Sequence, residues 1–143
     1  MKELHKAIIK LSKTHRKLAF REFAKIDLTE GQPKILSFLA KNNGCIQKDI
    51  ADNCRIKPAT VTSVLANMEK AELIYRSQNS ENRRILNVFL TDKGVKAQKQ
   101  VGIIFNKLDD LCFKGFSEEE KLQAIELLDR IQSNLDGKED DNA

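Results

Sequence analysis

A run of small, uncharged side chains after Pro58 is the part of the sequence best suited to contact another molecule. Apolar residues recur there at helical spacing, at Val61, Val64, Leu65 and Met68. The opposite face of such a helix holds Ala59, Thr60, Thr62, Ser63 and Asn67. Short polar groups let a helix backbone approach the edges of base pairs, and the helix N-terminus favours phosphate. This pattern indicates a helix that enters a DNA major groove. An ordinary polar surface, the alternative, more often exposes Lys and Glu.

A second candidate site is basic and lies in a turn. Arg83 and Arg84 end a polar segment, residues 79–83, and Arg76 precedes it. The segments on either side, 73–78 and 84–90, are rich in strand-forming residues and predict a β-hairpin. Adjacent arginines on a hairpin loop suit the negative potential of a DNA minor groove. Protection of an edge strand by charge is the alternative, which we disfavour beside a helix-turn-helix.

The elements that must position these residues follow from periodicity, caps and turns. Helices are predicted at 2–24, from Thr29 to about 42, at 47–53, from Pro58 to about 71, from 91 to about 113, and from 117 to 135, with a short extended piece at 45–46. Thr29 with Gln32 and Ser117 with Glu120 are capping boxes, and Thr91 caps the fifth helix. The predicted fold class is mainly α with a small β-hairpin, a winged helix-turn-helix flanked by outer helices. Residues 136–143 read as a frayed acidic tail.

Composition and charge limit the classes of protein to which this chain can belong. The chain has 143 residues, 41% hydrophobic and 32% charged, which fits one globular domain and neither a membrane protein nor a disordered one. Residues 1–26 contain eight Lys or Arg against two Glu, whereas residues 117–143 contain three against nine acids. The basic front favours a polyanionic partner. The outer helices have more apolar face than the centre can cover, so a second copy is the simplest partner for them.

Chemical sites of other kinds are not indicated. Cys45, Cys54 and Cys112 are too widely spaced for a disulfide framework or a zinc site, and we interpret them as buried structural thiols. His5 and His15 lack a third metal ligand at helical spacing. No phosphate loop or nucleophile–base arrangement is visible. The sequence therefore predicts no metal, no cofactor and no enzyme activity. The N-terminus lacks a secretory signal pattern, and the expected location is the cytoplasm.

Four segments resemble the MarR family of bacterial winged-helix transcriptional regulators. They are residues 46–51 (IQKDIA), 57–65 (KPATVTSVL), 68–76 (MEKAELIYR) and 82–94 (NRRILNVFLTDKG), the last ending in the pattern Leu-Thr-x-x-Gly. The resemblance extends over roughly residues 28–135. It implies a homodimer formed by the N- and C-terminal helices. It also implies a recognition helix in each major groove of a palindrome and a wing along each minor groove.

The resemblance assigns roles to individual residues. Arg84 takes the place of the wing-tip arginine. Asn82 stands where the family usually has an Asp that orients this arginine through a charged pair, so the wing is expected to be less firmly set. Glu72 stands where the family commonly has a helix-ending Gly, so a different helix exit is expected. The residues expected to bind DNA are Gln47, Lys48, Lys57, Ala59, Thr60, Thr62, Ser63, Asn67, Arg76, Asn82, Arg83 and Arg84.

The family commonly binds small aromatic or anionic molecules between the DNA-binding lobe and the dimer helices. The residues expected to line such an effector pocket are His15, Arg16, Phe20, Phe23 and Phe38. The expected organisation is one domain, 1–143: dimerisation helices at 1–27 and 95–136, a DNA-binding lobe at 28–94, and an acidic tail at 137–143. The predicted function is a sequence-specific DNA-binding regulator, a repressor relieved by an effector. Two alternatives stay open: a thiol redox switch on the same scaffold, and a winged helix used for protein–protein docking.

Overall fold

The computed structural model describes the backbone of residues 3–142 and the side chains of residues 3–137. Residues 3–142 form six helices and two strands: α1 Leu4–Ala24, α2 Gln32–Lys41, α3 Gln47–Cys54, α4 Pro58–Lys70, β1 Ile74–Gln78, β2 Leu86–Leu90, α5 Asp92–Cys112 and α6 Glu118–Asn142. The chain divides into two compact units, Met1–Asn106 and Lys107–Ala143. The first unit includes α1 to α4, the hairpin and most of α5, so it contains both sequence-predicted sites.

The core of the first unit is built by one apolar face from each of its elements. The residues in it that are fully buried are Ile35, Leu36, Leu39, Ile50, Val61, Leu65, Met68, Val88 and Val101. Phe23 of α1 joins this core and packs edge-to-face on Phe105 of α5, with ring centroids 5.1 Å apart. Each such side chain contributes about 1.5–3 kcal/mol when it is buried. This core fixes α3, α4 and the hairpin, the elements that hold the candidate site.

The hairpin is a two-stranded antiparallel sheet with a third segment at its edge. Arg76 pairs with Val88 in the β1–β2 register, and Ile46 forms an isolated bridge to Asn87. The N–H of Val88 donates to the carbonyl of Cys45 (2.9 Å), and the N–H of Gly44 donates to the carbonyl of Val88 (2.8 Å). The short extended piece predicted at residues 45–46 is confirmed. It ties the start of α3 to the wing.

α4 ends in a left-handed turn at Glu72, with φ of +61°. The N–H of Leu73 donates to the carbonyl of Met68 and that of Glu72 to Glu69, which is the Schellman arrangement. The exit is thus of the type that a Gly would make, and the expectation of a different exit is wrong. Tertiary packing of Leu73 and Ile74 outweighs the cost of left-handed backbone at a residue with a Cβ.

Most predicted element boundaries agree with the structure to within one to three residues. α2 begins at Gln32 instead of Thr29, because Gly31 takes a left-handed conformation, although the Thr29 N–H still donates to Gln32 Oε1 (3.1 Å). β2 begins at Leu86, so Arg84 lies in the loop. The capping box at Ser117 is confirmed in both directions, at 2.9 and 3.1 Å.

The predicted end of the last helix at residue 135 is wrong, since the backbone of α6 continues as a helix to Asn142. The segment has no proline, and Gly137 alone, which costs about 1 kcal/mol in a helix, does not end it.

Within the second unit, α6 exposes Leu122 (71%), Ile125, Leu127, Leu128 (57%) and Leu135. In the described residues, every helix is too short or too polar to cross a bilayer.

Candidate nucleic-acid interface

The face of α4 opposite the core presents the small residues that the sequence indicated. Val61, Leu65 and Met68 are buried, whereas Ala59, Thr60, Thr62, Ser63 and Asn67 are exposed. Among the described residues, the side chains of Thr60, Ser63 and Asn67 have no hydrogen-bond partner in the chain. Their donors and acceptors are therefore available to an external molecule, in an arrangement that base edges can satisfy.

Thr62 and Gln47, two other predicted DNA-binding residues, bond to each other. The Thr62 hydroxyl donates to the carbonyl of Pro58 (3.1 Å) and accepts from Gln47 Nε2 (2.9 Å). Gln47 Oε1 in turn accepts from Arg76 Nη1 at 3.5 Å. The structure thus brings three of the predicted residues together, one each from α4, α3 and β1.

Arg76 is not an unpaired cation. Its Nε donates to Glu69 Oε2 at 2.9 Å, and its side chain is only 19% exposed. Glu69, on the last turns of α4, is 44% exposed. The positive charge of Arg76 is therefore balanced within the chain, unlike the charges of the wing-loop arginines described next.

Two asparagines set the geometry of the wing loop. Asn79 Oδ1 accepts from the N–H groups of Glu81 (2.9 Å) and Asn82 (3.1 Å), and the Asn79 N–H donates to the carbonyl of Ile85 (2.9 Å). Asn82 Oδ1 accepts from the backbone N–H of Arg84 at 3.1 Å. Asn82 thus shapes the turn by a neutral bond to the backbone.

The arginines of this loop project from it. Arg83 and Arg84 are exposed, and neither guanidinium forms an ion pair with any described residue. The loop therefore offers two positive charges that form no ion pair with a described residue, on a turn that is closed by its own hydrogen bonds.

The remaining predicted contacts lie near the ends of these helices. Lys48 is exposed on the first turn of α3, and Lys57 is exposed at the N-cap position of α4. The N-terminus of α4 adds positive potential beside Lys57.

The five residues expected to line an effector pocket separate into two groups. His15, Arg16 and Phe20 are exposed on α1. Phe23 is a buried core residue against Phe105, and Phe38 packs half-buried against the same core. The assignment of these five residues to an effector pocket stays a prediction.

The cysteines differ in environment. Burial and the Asp49 carboxylate raise the pKa of the half-buried Cys45, and burial raises the pKa of Cys54. A raised pKa reduces the reactive thiolate at neutral pH, which disfavours these two as redox sensors. The expectation of three buried thiols is wrong for Cys112, which is exposed.

Among the described side chains, no cluster of three His, Cys, Asp or Glu could hold a metal ion.

Sequence reasoning missed Glu69 and Asn79. Glu69 lies seven residues after Thr62, two turns along the same flank of α4, and that spacing was the available signal. Asn79 opens the polar turn, a position where Asn commonly bonds backbone N–H groups one to three residues on. Both residues contact predicted site residues, and neither needs to touch a ligand.

Comparison with known proteins agrees with this geometry. A family model described as "MarR family" matches residues 28–86. The chain is 28% identical to an uncharacterized HTH-type transcriptional regulator, YybA of Bacillus subtilis, over 80% of this chain and 77% of that protein. It is 27% identical to the HTH-type transcriptional repressor MdtR of the same organism, over 80% and 74%.

A solved structure extends the comparison to the fold. The structure of the Staphylococcus aureus MepR–DNA complex matches with a TM-score of 0.85 and 27% identity, covering 94% of this chain and 99% of that one. The relatives are named as transcriptional regulators and not as enzymes. With a helix-turn-helix and a basic wing, residues 28–86 match the MarR family, and the chain is similar over most of its length to HTH-type transcriptional regulators and to the DNA-bound MepR structure.

Proposed function

We propose that this protein binds palindromic double-stranded DNA in a sequence-specific manner and represses transcription by occluding a promoter. The observation that carries the proposal is the exposed face of α4, where Thr60, Ser63 and Asn67 have no hydrogen-bond partner among the described residues. The exposed Arg83 and Arg84 of the wing supply the phosphate-attracting charge beside it. The DNA-bound MepR structure and the repressor name of MdtR support the proposal.

The proposed binding unit is a homodimer. Residues 1–27 and 95–136 would form the dimerisation helices, and residues 28–94 the DNA-binding lobe, one to each half-site. The apolar exposure of α6 supports this division, since a stripe of large hydrophobic side chains favours a protein partner. Half-sites on one face of DNA should lie about 10 bp apart, or a multiple of that. The proposed location is the cytoplasm.

A small aromatic or anionic effector would relieve repression by changing the spacing of the two recognition helices. His15, Arg16 and Phe20 combine positive charge with an exposed ring on α1, which supports this chemistry. A panel of aromatic carboxylates should raise the thermal midpoint of the protein and release bound DNA if the proposal holds. The raised pKa values of Cys45 and Cys54 disfavour a thiol switch at those two residues.

The decisive experiment is selection of bound duplexes from a random pool with the purified protein. The selected sequences should contain an inverted repeat, and binding to it should exceed binding to a scrambled duplex by about 10³-fold or more. Equal affinity for selected and scrambled duplexes would contradict sequence-specific function. Absence of any DNA binding at low salt would instead favour protein–protein docking.

A further inference from the structure

We propose that Arg76 is a positioning residue: together with Glu69, Gln47 and Thr62 it holds α4 in the orientation that base readout needs, and it does not bind phosphate. The inference rests on the proposed function, since it concerns how the same surface discriminates sequences. The four side chains are called the α4 clamp below.

The clamp joins α4 to its neighbours at two points. Thr62, near the N-terminus of the helix, accepts from Gln47 of α3 at 2.9 Å. Glu69, seven residues later, accepts from Arg76 of β1 at 2.9 Å. The Gln47–Arg76 bond, at 3.5 Å, links the two points. Because the attachments lie two turns apart on one flank, they restrain α4 against both rotation about its axis and tilt.

Each side chain of the clamp has at least one hydrogen-bond partner within the chain. A threonine hydroxyl has a single proton, and in Thr62 it is donated to the Pro58 carbonyl. Both ends of the Gln47 amide are bonded, one to Thr62 and one to Arg76. Thr62 cannot donate to a base without breaking its bond to Pro58, and Gln47 keeps one N–H and one lone pair for another partner. Thr60, Ser63 and Asn67 have no such bonds among the described residues.

Electrostatics separate Arg76 from the wing arginines. Arg76 lies in an ion pair and is 19% exposed, so a phosphate that captured it would leave the Glu69 carboxylate unpaired next to a polyanion. Arg83 and Arg84 are exposed and have no acidic partner among the described residues. Phosphate contacts, and the counterion release that comes with them, are therefore expected at the wing and not at Arg76.

The clamp is therefore expected to affect discrimination between sequences, and the wing is expected to affect phosphate binding. Bidentate contacts to bases tolerate little displacement, so a small rotation of α4 would misalign Ser63 and Asn67 and lower discrimination between sequences. The same rotation would leave the charge facing the phosphates unchanged. Loss of the clamp should thus lower the ratio of operator to random-duplex affinity, with an unaltered salt dependence.

The test compares full-length variants on a duplex selected by the wild-type protein and on a scrambled duplex, over a series of salt concentrations. Thr62→Val removes the hydroxyl at constant shape, and Thr62→Ser is the matched control that keeps it. The double variant E69Q/R76Q removes both charges of the ion pair, so the net charge stays the same. Arg84→Ala is the reference for a lost phosphate contact. Thermal denaturation checks that each variant is folded.

We expect T62V and E69Q/R76Q to lower the operator-to-scrambled ratio by about three- to tenfold, with T62S close to wild type. The slope of log affinity against log salt should match wild type in all three and shrink by about one for Arg84→Ala. If E69Q/R76Q does not fold, the T62V and T62S pair decides the question.

Two results would overturn the inference. One is a salt slope that shrinks by about one in E69Q/R76Q with an unchanged ratio, which would make Arg76 a phosphate-binding residue. The other is a wild-type ratio in T62V. Both leave the proposed function intact, because the wild-type protein would still prefer the selected duplex. A wild-type protein that prefers no duplex would overturn the proposed function and this inference together.

Discussion

What a charged or polar side chain of this protein can bind depends on whether another residue of the chain already bonds to it. Arg76 and Arg84 have the same side chain, yet Glu69 neutralises the first and leaves the second unaffected. Asn82 is equally informative, because its Oδ1 bonds the backbone N–H of Arg84 and so orders the turn without a charge. An Asp at this position could accept the same bond. The neutral Asn thus keeps the turn geometry and adds no further negative charge beside Glu81 in a loop proposed to meet phosphate.

Arg84→Ala should weaken operator binding by about tenfold, on the order of 1.4 kcal/mol, because it removes a cation from a region of concentrated negative potential. The salt slope should shrink by about one phosphate equivalent. Stability should change by no more than about 0.5 kcal/mol, since the side chain is exposed in a loop. Arg130→Ala, which removes the same charge from an exposed position on α6, serves as control and should keep the wild-type slope. Unchanged operator affinity at two salt concentrations would remove the wing from the mechanism.

Glu72→Gly should stabilise the protein by about 0.5–1 kcal/mol. Glu72 is held at φ +61°, where a side chain with a Cβ is strained, and Gly removes that strain at some cost in unfolded-chain entropy. Urea denaturation measures the change. Glu72→Ala is the matched control, because Ala keeps the Cβ and should bring no gain. Equal stabilisation by Ala and Gly would show that the Glu side chain, and not the backbone, is the source of strain.

At the scale of elements, the winged helix-turn-helix is held together by a few close approaches. α5 starts against the turn that follows α4: the Thr91 hydroxyl donates to the carbonyl of Glu72 (2.6 Å) and accepts from the N–H of Gly94 (3.0 Å). A Cβ on Gly94 would clash with the carbonyl oxygen of Leu73. This close approach explains the Gly of the Leu-Thr-x-x-Gly pattern. Only Gly lets the first turn of α5 come this near to the backbone that leads into β1.

Gly94→Ala should destabilise the protein by about 3 kcal/mol, because the methyl group meets backbone that cannot move aside cheaply. Gly102→Ala is the control on the same helix. Nothing lies within 4 Å of a Cβ there, so Ala should be neutral or stabilising by about 1 kcal/mol through helix propensity. Thermal or urea denaturation of both variants checks the pair. Similar losses at both positions would mean that the close approach at Gly94 is not the cause.

Ser63→Ala and Asn67→Ala should change sequence preference more than general affinity, by about 1–3 kcal/mol at each contacted base pair. Both side chains are exposed on α4 and neither is bonded to a described residue, so their removal leaves the fold intact. Binding to a set of single-base variants of the selected duplex measures the preference. Ser77→Ala, at an exposed position in β1, is a control for loss of a hydroxyl. Equal weakening on operator and random DNA would show that Ser63 and Asn67 are not base readers.

At the scale of the whole molecule, the first and last helices expose large apolar side chains. α1 exposes Leu4, Ile8, Ile9, Leu11 and Phe20, and α6 exposes its own stripe within the second unit. Charge follows the same division: residues 1–26 are basic and residues 117–143 are acidic. Opposite charge on two exposed apolar helices favours association between copies.

The intact protein should sediment at micromolar concentration as a dimer, with twice the 16.3 kDa mass of one chain. The double variant L122E/L128E should shift it to monomer, because both side chains are exposed and the charges would be buried on association. Operator affinity should then fall by about a hundredfold or more through loss of the second half-site contact. Gln123→Glu, an exposed polar position on the same helix, is the control and should stay dimeric. A wild-type protein that is monomeric would contradict the dimer proposal.

Local chemistry determined most of the fold from the sequence alone. Helical periodicity placed Val61, Leu65 and Met68 in the core, and the caps at Thr91 and Ser117 marked the starts of α5 and α6. These signals act within a few residues along the chain, so they can be read without the tertiary structure. For the same reason, the exposed face of α4 and the basic wing could be predicted as candidate sites.

Only the tertiary structure decided which polar side chains form hydrogen bonds with other side chains of the chain. The bonds from Thr62 to Gln47, from Gln47 to Arg76 and from Arg76 to Glu69 span 15, 29 and 7 residues of sequence. No local pattern specifies such pairs, because they depend on how helices and strand pack around a shared core. Packing likewise buried Phe23 against Phe105 and held Glu72 in a left-handed turn against its intrinsic preference. The sequence thus predicted the surface that is proposed to bind DNA, and packing determined which of its side chains have no partner among the described residues.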